Sequence, residues 1–95
     1  MAELKKLKVV IADDNEEMLH ALVRVLRNDF DIVALAENGR QLVDQAISSH
    51  PDIIVSDVSM PLLTGPKAQK ELMTSGFCIP FVFISGETQL VRGQW

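Results

Sequence analysis

Ile53-Ile54-Val55-Ser56-Asp57 is the stretch that decides the fold. It is a short, continuous, mostly β-branched run that follows Pro51-Asp52 and ends in a carboxylate. Runs of this length and composition suit strands covered on both faces, as in parallel sheets. The same design opens the chain, where Val9-Val10-Ile11-Ala12 runs into Asp13-Asp14. Two more apolar runs fall at residues 30–36 and, after Pro80, at Phe81-Val82-Phe83-Ile84.

Helical spacing fills the gaps. The run Asp13-Asp14-Asn15-Glu16-Glu17 supplies helix-capping chemistry and acids for a first turn, and Leu19, Leu22, Val23 and Leu26 follow, so the pattern predicts an amphipathic helix over 15–28. Asn38-Gly39 breaks the chain, and Leu42, Val43, Ala46 and Ile47 mark a second helix closed before Pro51. Residues 60–65, with their Pro and Gly, read as a loop. Pro66 suits the start of a third helix whose apolar face is Ala68, Leu72 and Met73, with Gly76 as its C-cap. Strands alternating with helices predict an α/β protein: a three-layer sandwich with a parallel sheet and right-handed crossovers.

Composition sets the bounds. Ninety-five residues give one domain, and 47% apolar with 23% charged residues describe a folded globular chain. A net charge of −4 without Lys/Arg clusters argues against nucleic acid as a direct partner. Lys5, Lys6 and Lys8 form the one basic run, which reads as a solvated strand entrance. Cys78 is the single cysteine, so no intrachain disulfide forms, and it is expected to be a small buried residue. His20 and His50 lack metal-ligand spacing and read as surface or cap residues. No segment approaches the ~18 apolar residues of a membrane span, and the first residues lack a signal peptide's apolar core. A cytoplasmic protein without membrane contact is expected.

Open parallel sheets form their sites outside the carboxyl ends of the strands. Asp13 and Asp14 stand at the end of the first strand, and Asp57 at the end of the third. If those strands are neighbours, three carboxylates converge, and the cluster either raises pKa values or binds a hard cation such as Mg²⁺. The plainer reading of Asp13-Asp14 is a helix cap and dipole partner, and it stands beside the site reading.

Taken together, these motifs resemble response-regulator receiver domains. Residues 9–15 are similar to the family's first strand and acidic pair, residues 51–61 to its phosphoacceptor strand and following loop, and Gly65 to the glycine of that loop. Ala36-Glu37-Asn38-Gly39 resembles the turn into the second helix, and Ile79 to Ser85 the fourth strand with its terminal hydroxyl residue. The resemblance covers residues 8 to about 87. It implies a flavodoxin-like sheet in order 2-1-3-4. It implies that Asp57 is the phosphoacceptor, loaded by a sensor histidine kinase or phosphotransfer protein. Asp13, Asp14, Asp57 and the backbone carbonyl of Ser59 would hold Mg²⁺ or Mn²⁺, and Ser85 would hydrogen-bond the phosphoryl oxygens and switch on activation. Such a domain is a bacterial signalling phosphoprotein rather than an enzyme with external turnover, and it regulates a partner or an output domain.

The family's fifth strand and helix, with a lysine that pairs with the phosphoryl group, have no counterpart here, and residues 88–95 form a non-matching tail. Neither Lys67 nor Arg92 matches that lysine's position. An incomplete receiver over 1–95 would expose the fourth strand as an edge, open to self-association unless the tail covers it. The alternative function is an interaction module, or inactive receiver fragment, without phosphotransfer. A haloacid-dehalogenase-like phosphatase needs Asp-x-Asp where this chain has Asp13-Asp14-Asn15, and no Gly-rich turn follows the first strand to hold a dinucleotide.

Overall fold

The computed structural model describes residues 5–85. Its elements are β1 (Lys8–Ala12), α1 (Glu16–Leu26), β2 (Asp31–Ala36), α2 (Gly39–Ser49), β3 (Ile53–Asp57), α3 (Gly65–Thr74) and β4 (Phe81–Ile84). All strand pairs are parallel, and the sheet order is β2-β1-β3-β4. This is the flavodoxin-like order expected from the sequence.

Alternation along the strands divides the core between two helical layers. Val9 and Ile11 of β1 face α1, where they meet Leu19, with Leu22, Val23 and Leu26 around it. Val10 and Ala12, with Ile54 of β3, face Leu42, Val43 and Ala46 of α2 and Ala68 and Leu72 of α3. One irregularity interrupts the pattern: Val9 pairs with Ile32 but Val10 with Ala34, so Val33 is an extra residue in β2. The bulge turns both Val33 and Ala34 toward the α2 layer.

Local chemistry ends each helix where packing requires it. The side chains of Asn15, Asn38 and Thr64 accept the N–H groups of Met18, Gln41 and Lys67, which satisfies donors that have no partner within the helix. At the end of α3, Ser75 is the cap and Gly76 takes φ 92° just beyond it. The N–H of Phe77 donates to the Leu72 carbonyl at 2.8 Å and that of Gly76 to the Met73 carbonyl at 3.0 Å. This is a Schellman closure, which needs the left-handed residue that glycine supplies. His50 ends α2 in the left-handed region, exposed as expected, with its ring stacked on Phe77 at 5.9 Å.

Three expectations of burial are corrected. Met73 is 54% exposed, because Ala68 and Leu72, four residues apart, share the buried stripe and Met73 lies a further ~100° round the helix. Ile47 is 39% exposed although it lies four residues past buried Val43, so it marks the rim of the apolar stripe of α2. Cys78 is exposed: it lies between Phe77 and Ile79, which pack on the core, and extended backbone turns every second side chain outward. Arg92 and the tail at 88–95 lie outside the described residues.

The burial of α3 makes a direct prediction. Leu72→Ala should cost about 2–5 kcal/mol in urea-monitored unfolding, as for a fully buried side chain, and Met73→Ala should stay within about 0.5 kcal/mol.

Candidate functional site

The register of β1 against β3 builds the site. Ala12 stands opposite Ser56, so Asp13 and Asp57, the next residues, leave the sheet side by side. The Asp13 N–H still donates to the Ala36 carbonyl of β2 at 3.0 Å, which ties its backbone to the sheet. The residue is 4% exposed, and one of its carboxylate oxygens accepts the N–H of Asn15 at 2.8 Å. Asp57 is half-buried and Asp14 exposed. One carboxylate oxygen from each of Asp13, Asp14 and Asp57 lies within 4.8 Å of the other two. The three acids singled out in the sequence therefore converge.

Ser59 lies two residues past Asp57 in the loop after β3, with an exposed side chain. The backbone N–H groups of Ser59 and Val58 lie near the Asp57 carboxylate and favour its charged form. Ser85 follows β4 directly. Ile84 is in register with Asp57, and its carbonyl accepts the Val58 N–H at 3.2 Å, so Ser85 sits at the same end of the sheet as the acids. Lys67, in the first turn of α3, is exposed and makes no ion pair among the described residues.

Two glycines hold the loop between β3 and α3. A β-carbon on Gly65 would overlap the Asp57 carbonyl oxygen and stand 2.9 Å from the Phe83 ring. The bare glycine lets its own N–H donate to the Val58 carbonyl at 2.9 Å. A β-carbon on Gly39, at the start of α2, would overlap the Leu63 carbonyl oxygen, so α2 packs directly on this loop. Between them, the Leu63 N–H donates to the Pro61 carbonyl at 2.7 Å across Leu62, which has φ 69°. A leucine at positive φ in a three-residue turn is strained backbone, and it lies in the loop that follows Asp57. Ser56, fully buried, donates its hydroxyl to the Asp57 carbonyl at 2.8 Å. Sequence reasoning missed the parts played by Gly39, Ser56 and Leu62. The Asn38-Gly39 pair was the only signal, and it shows a break in the chain rather than the contact made across it.

Burial is the main cause that raises the carboxyl pKa of both Asp13 and Asp57. The Asn15 N–H opposes it at Asp13, and the Ser59 and Val58 N–H groups oppose it at Asp57. Asp57 and Asp14 add repulsion at Asp13, and Asp14 adds it at Asp57. The donor set is all oxygen and anionic, which is the chemistry of a hard divalent cation. Oxygens bound to one octahedral Mg²⁺ are separated by about 2.9 Å in neighbouring and about 4.1 Å in opposite positions. A cluster spanning 4.8 Å needs only a small closure to fit.

Comparison with known proteins adds the family. The model for the response regulator receiver domain matches residues 9–93. The chain belongs to that family. A protein-glutamate methylesterase/protein-glutamine glutaminase of Caldanaerobacter subterraneus is 34% identical over 83 residues, which are 85% of this chain and 22% of that protein. The receiver thus spans about a fifth of such a relative. The response regulator domain of Thermotoga maritima CheB superposes with a TM-score of 0.83 at 28% identity, over 94% of this chain and 66% of that one. CheX-CheY-BeF3-Mg+2 of Borrelia burgdorferi, a complex, gives 0.78 at 25% identity, over 90% and 68% of the two chains.

The raised carboxyls give the metal-free receiver a pH dependence. A carboxyl whose folded pKa exceeds its unfolded value of about 4 contributes stability that is complete below that value and is lost as pH rises through the folded one. Glu71, lowered by its hydrogen bond from Arg40, acts in the opposite direction but equally in wild type and variant. In EDTA, Asp57→Asn should therefore be more stable than wild type at pH 7, and the gap should narrow as pH falls toward 4. Urea unfolding at several pH values reads it; a gap that widens on acidification would contradict the assignment.

Proposed function

We propose that this receiver accepts a phosphoryl group on Asp57 from a phosphohistidine of a sensor histidine kinase or phosphotransfer protein, and thereby regulates an output. The convergence of Asp13, Asp14 and Asp57 within 4.8 Å at the carboxyl end of the sheet carries the reading. Membership of the receiver family supports it.

In this reading an Asp57 carboxylate oxygen attacks phosphorus in line. A P–O bond to Asp57 forms, and the P–N bond to the donor histidine breaks. The electron pair stays on the imidazole nitrogen, which takes up a proton. The nearby Ser59 and Val58 N–H groups favour the charged carboxylate that must attack, and the packing of Gly65 against the Asp57 carbonyl fixes the backbone beneath it. Asp13, Asp14, Asp57 and the Ser59 carbonyl would hold Mg²⁺ or Mn²⁺. Such a cation supplies the positive charge that lets an anionic phosphoryl group approach a carboxylate. Ser85, at the end of β4, would hydrogen-bond a phosphoryl oxygen and carry the change toward the surface. Water attack on the acyl phosphate later restores Asp57, so the domain modifies itself rather than turning over an external substrate.

The methylesterase/glutaminase relatives suggest an effector of that kind as the output. No helix among the described residues is long and apolar enough to cross a membrane, which fits a cytoplasmic signalling domain. Self-association through the β4 edge stays outside this reading, because the residues that follow β4 lie outside the described ones.

Acetyl phosphate with Mg²⁺, read by intact mass, tests the proposal. Wild type should gain one phosphoryl adduct, and Asp57→Asn or an EDTA-treated sample should gain none. A folded wild-type sample without adduct would favour an interaction module that does no phosphotransfer.

A further inference from the structure

A groove of about 910 Å³ runs along β2, on the side of the molecule that carries α1. Consecutive residues Asp31, Ile32, Val33, Ala34 and Leu35 all line it. Ile32 packs on the α1 side of the sheet and Val33 and Ala34 on the α2 side, so a groove that touches all of them follows the strand's outer edge. That edge has no strand partner among the described residues, since β2 ends the sheet. Its backbone offers hydrogen-bonding groups to an added strand.

The walls have a definite charge. Lys5, Lys6 and Lys8 approach from the entrance to β1, and Arg27 from the end of α1. Asp31 is the single acid in the lining. Four of the nine Lys and Arg residues thus gather at one groove of a chain whose net charge is −4. The sequence presents Lys5, Lys6 and Lys8 as a solvated strand entrance; the fold adds Arg27 from elsewhere in the chain and an apolar floor of Val23, Phe30 and Ile32. Leu35, 41% exposed, extends that floor to the far end of β2.

We propose that the β2 edge groove binds an extended acidic segment of a partner protein. The segment adds as a strand to β2, lays alternate apolar side chains on the floor, and sets its carboxylates against Lys5, Lys6, Lys8 and Arg27. Main-chain pairing gives such docking its affinity, and alternate side chains give it specificity. A nucleic acid would use the cations but leave both the backbone edge and the apolar floor unused. The lysines of the basic wall lie at the amino end of β1, and Asp13, Asp14 and Asp57 lie at the carboxyl ends of β1 and β3, so these cations stand at the opposite end of the sheet from the proposed phosphoacceptor.

The full chain titrated with a fluorescent peptide of alternating Glu and Val tests this at low salt. Saturable binding is expected, with backbone amide NMR shifts concentrated at residues 31–35. A peptide with Lys in place of Glu, and a single-stranded oligonucleotide of equal charge, should bind at least about tenfold more weakly. The triple reversal Lys5→Glu, Lys6→Glu and Arg27→Glu changes exposed residues only and should weaken the acidic peptide at least about tenfold, with an unchanged circular dichroism spectrum. No binding, shifts centred elsewhere, indifference to the reversal, or an oligonucleotide that binds as well as the peptide would each overturn the proposal. Acetyl phosphate labelling of Asp57 should persist in the triple variant, so failure here is distinct from failure of the phosphoacceptor reading.

Discussion

The parallel register between β1 and β3 is the constraint on which the rest depends. Pairing Val9 with Ile53 and Ala12 with Ser56 sends Asp13 and Asp57 out of the sheet together. A shift of one residue would separate them and would also turn the side chains of one strand over, taking either Val10 or Ile54 away from the α2 and α3 layer. The packing that stabilises the fold and the convergence of carboxylates thus have one cause. The core holds the acids together against their repulsion, which is how a folded chain can maintain an arrangement that its own electrostatics oppose.

The surroundings of the acids follow from that register. β4 pairs with β3 so that Ile84 reaches the level of Asp57, which brings Ser85 to the site. The loop after β3 must then turn within a few residues into α3, beneath the first turn of α2. Gly65 and Gly39 remove the β-carbons that would prevent this, and Leu62 takes up strain in the turn between them. Arg40 and Glu71 join α2 to α3 in a two-pronged ion pair on the exposed side of the same two helices. A backbone held from several sides suits the role of in-line nucleophile proposed for Asp57.

Much of this was legible in the sequence because burial on both faces leaves a plain signature. The β1 and β3 runs could be read as buried parallel strands, with their terminal acids, before any geometry was known. The polar run at 13–17 and Pro66 mark helix starts through local chemistry alone. Contacts between distant segments were not legible. The Val33 bulge depends on how β2 meets β1, and the meeting of Gly39 with Leu63 depends on how α2 crosses the loop. Met73, Ile47 and Cys78 were misplaced for a different reason: hydrophobic character was counted where direction mattered. The four-residue spacing of Ala68 and Leu72, and the alternation through Phe77, Cys78 and Ile79, already held the answer. The basic groove shows the opposite case, in which residues that look unremarkable in linear order gain meaning once α1 sets Arg27 beside them.

The proposed function requires Asp13, Asp14 and Asp57 to act together as one site for a divalent cation. Titration of the isotope-labelled protein with Mg²⁺, followed by amide NMR, tests it most directly. Saturable shifts confined to Asp13, Asp14, Asp57, Val58 and Ser59 are predicted, and they should be lost in Asp57→Asn. Shifts spread over the surface acids, or the same response in wild type and Asp57→Asn, would contradict it.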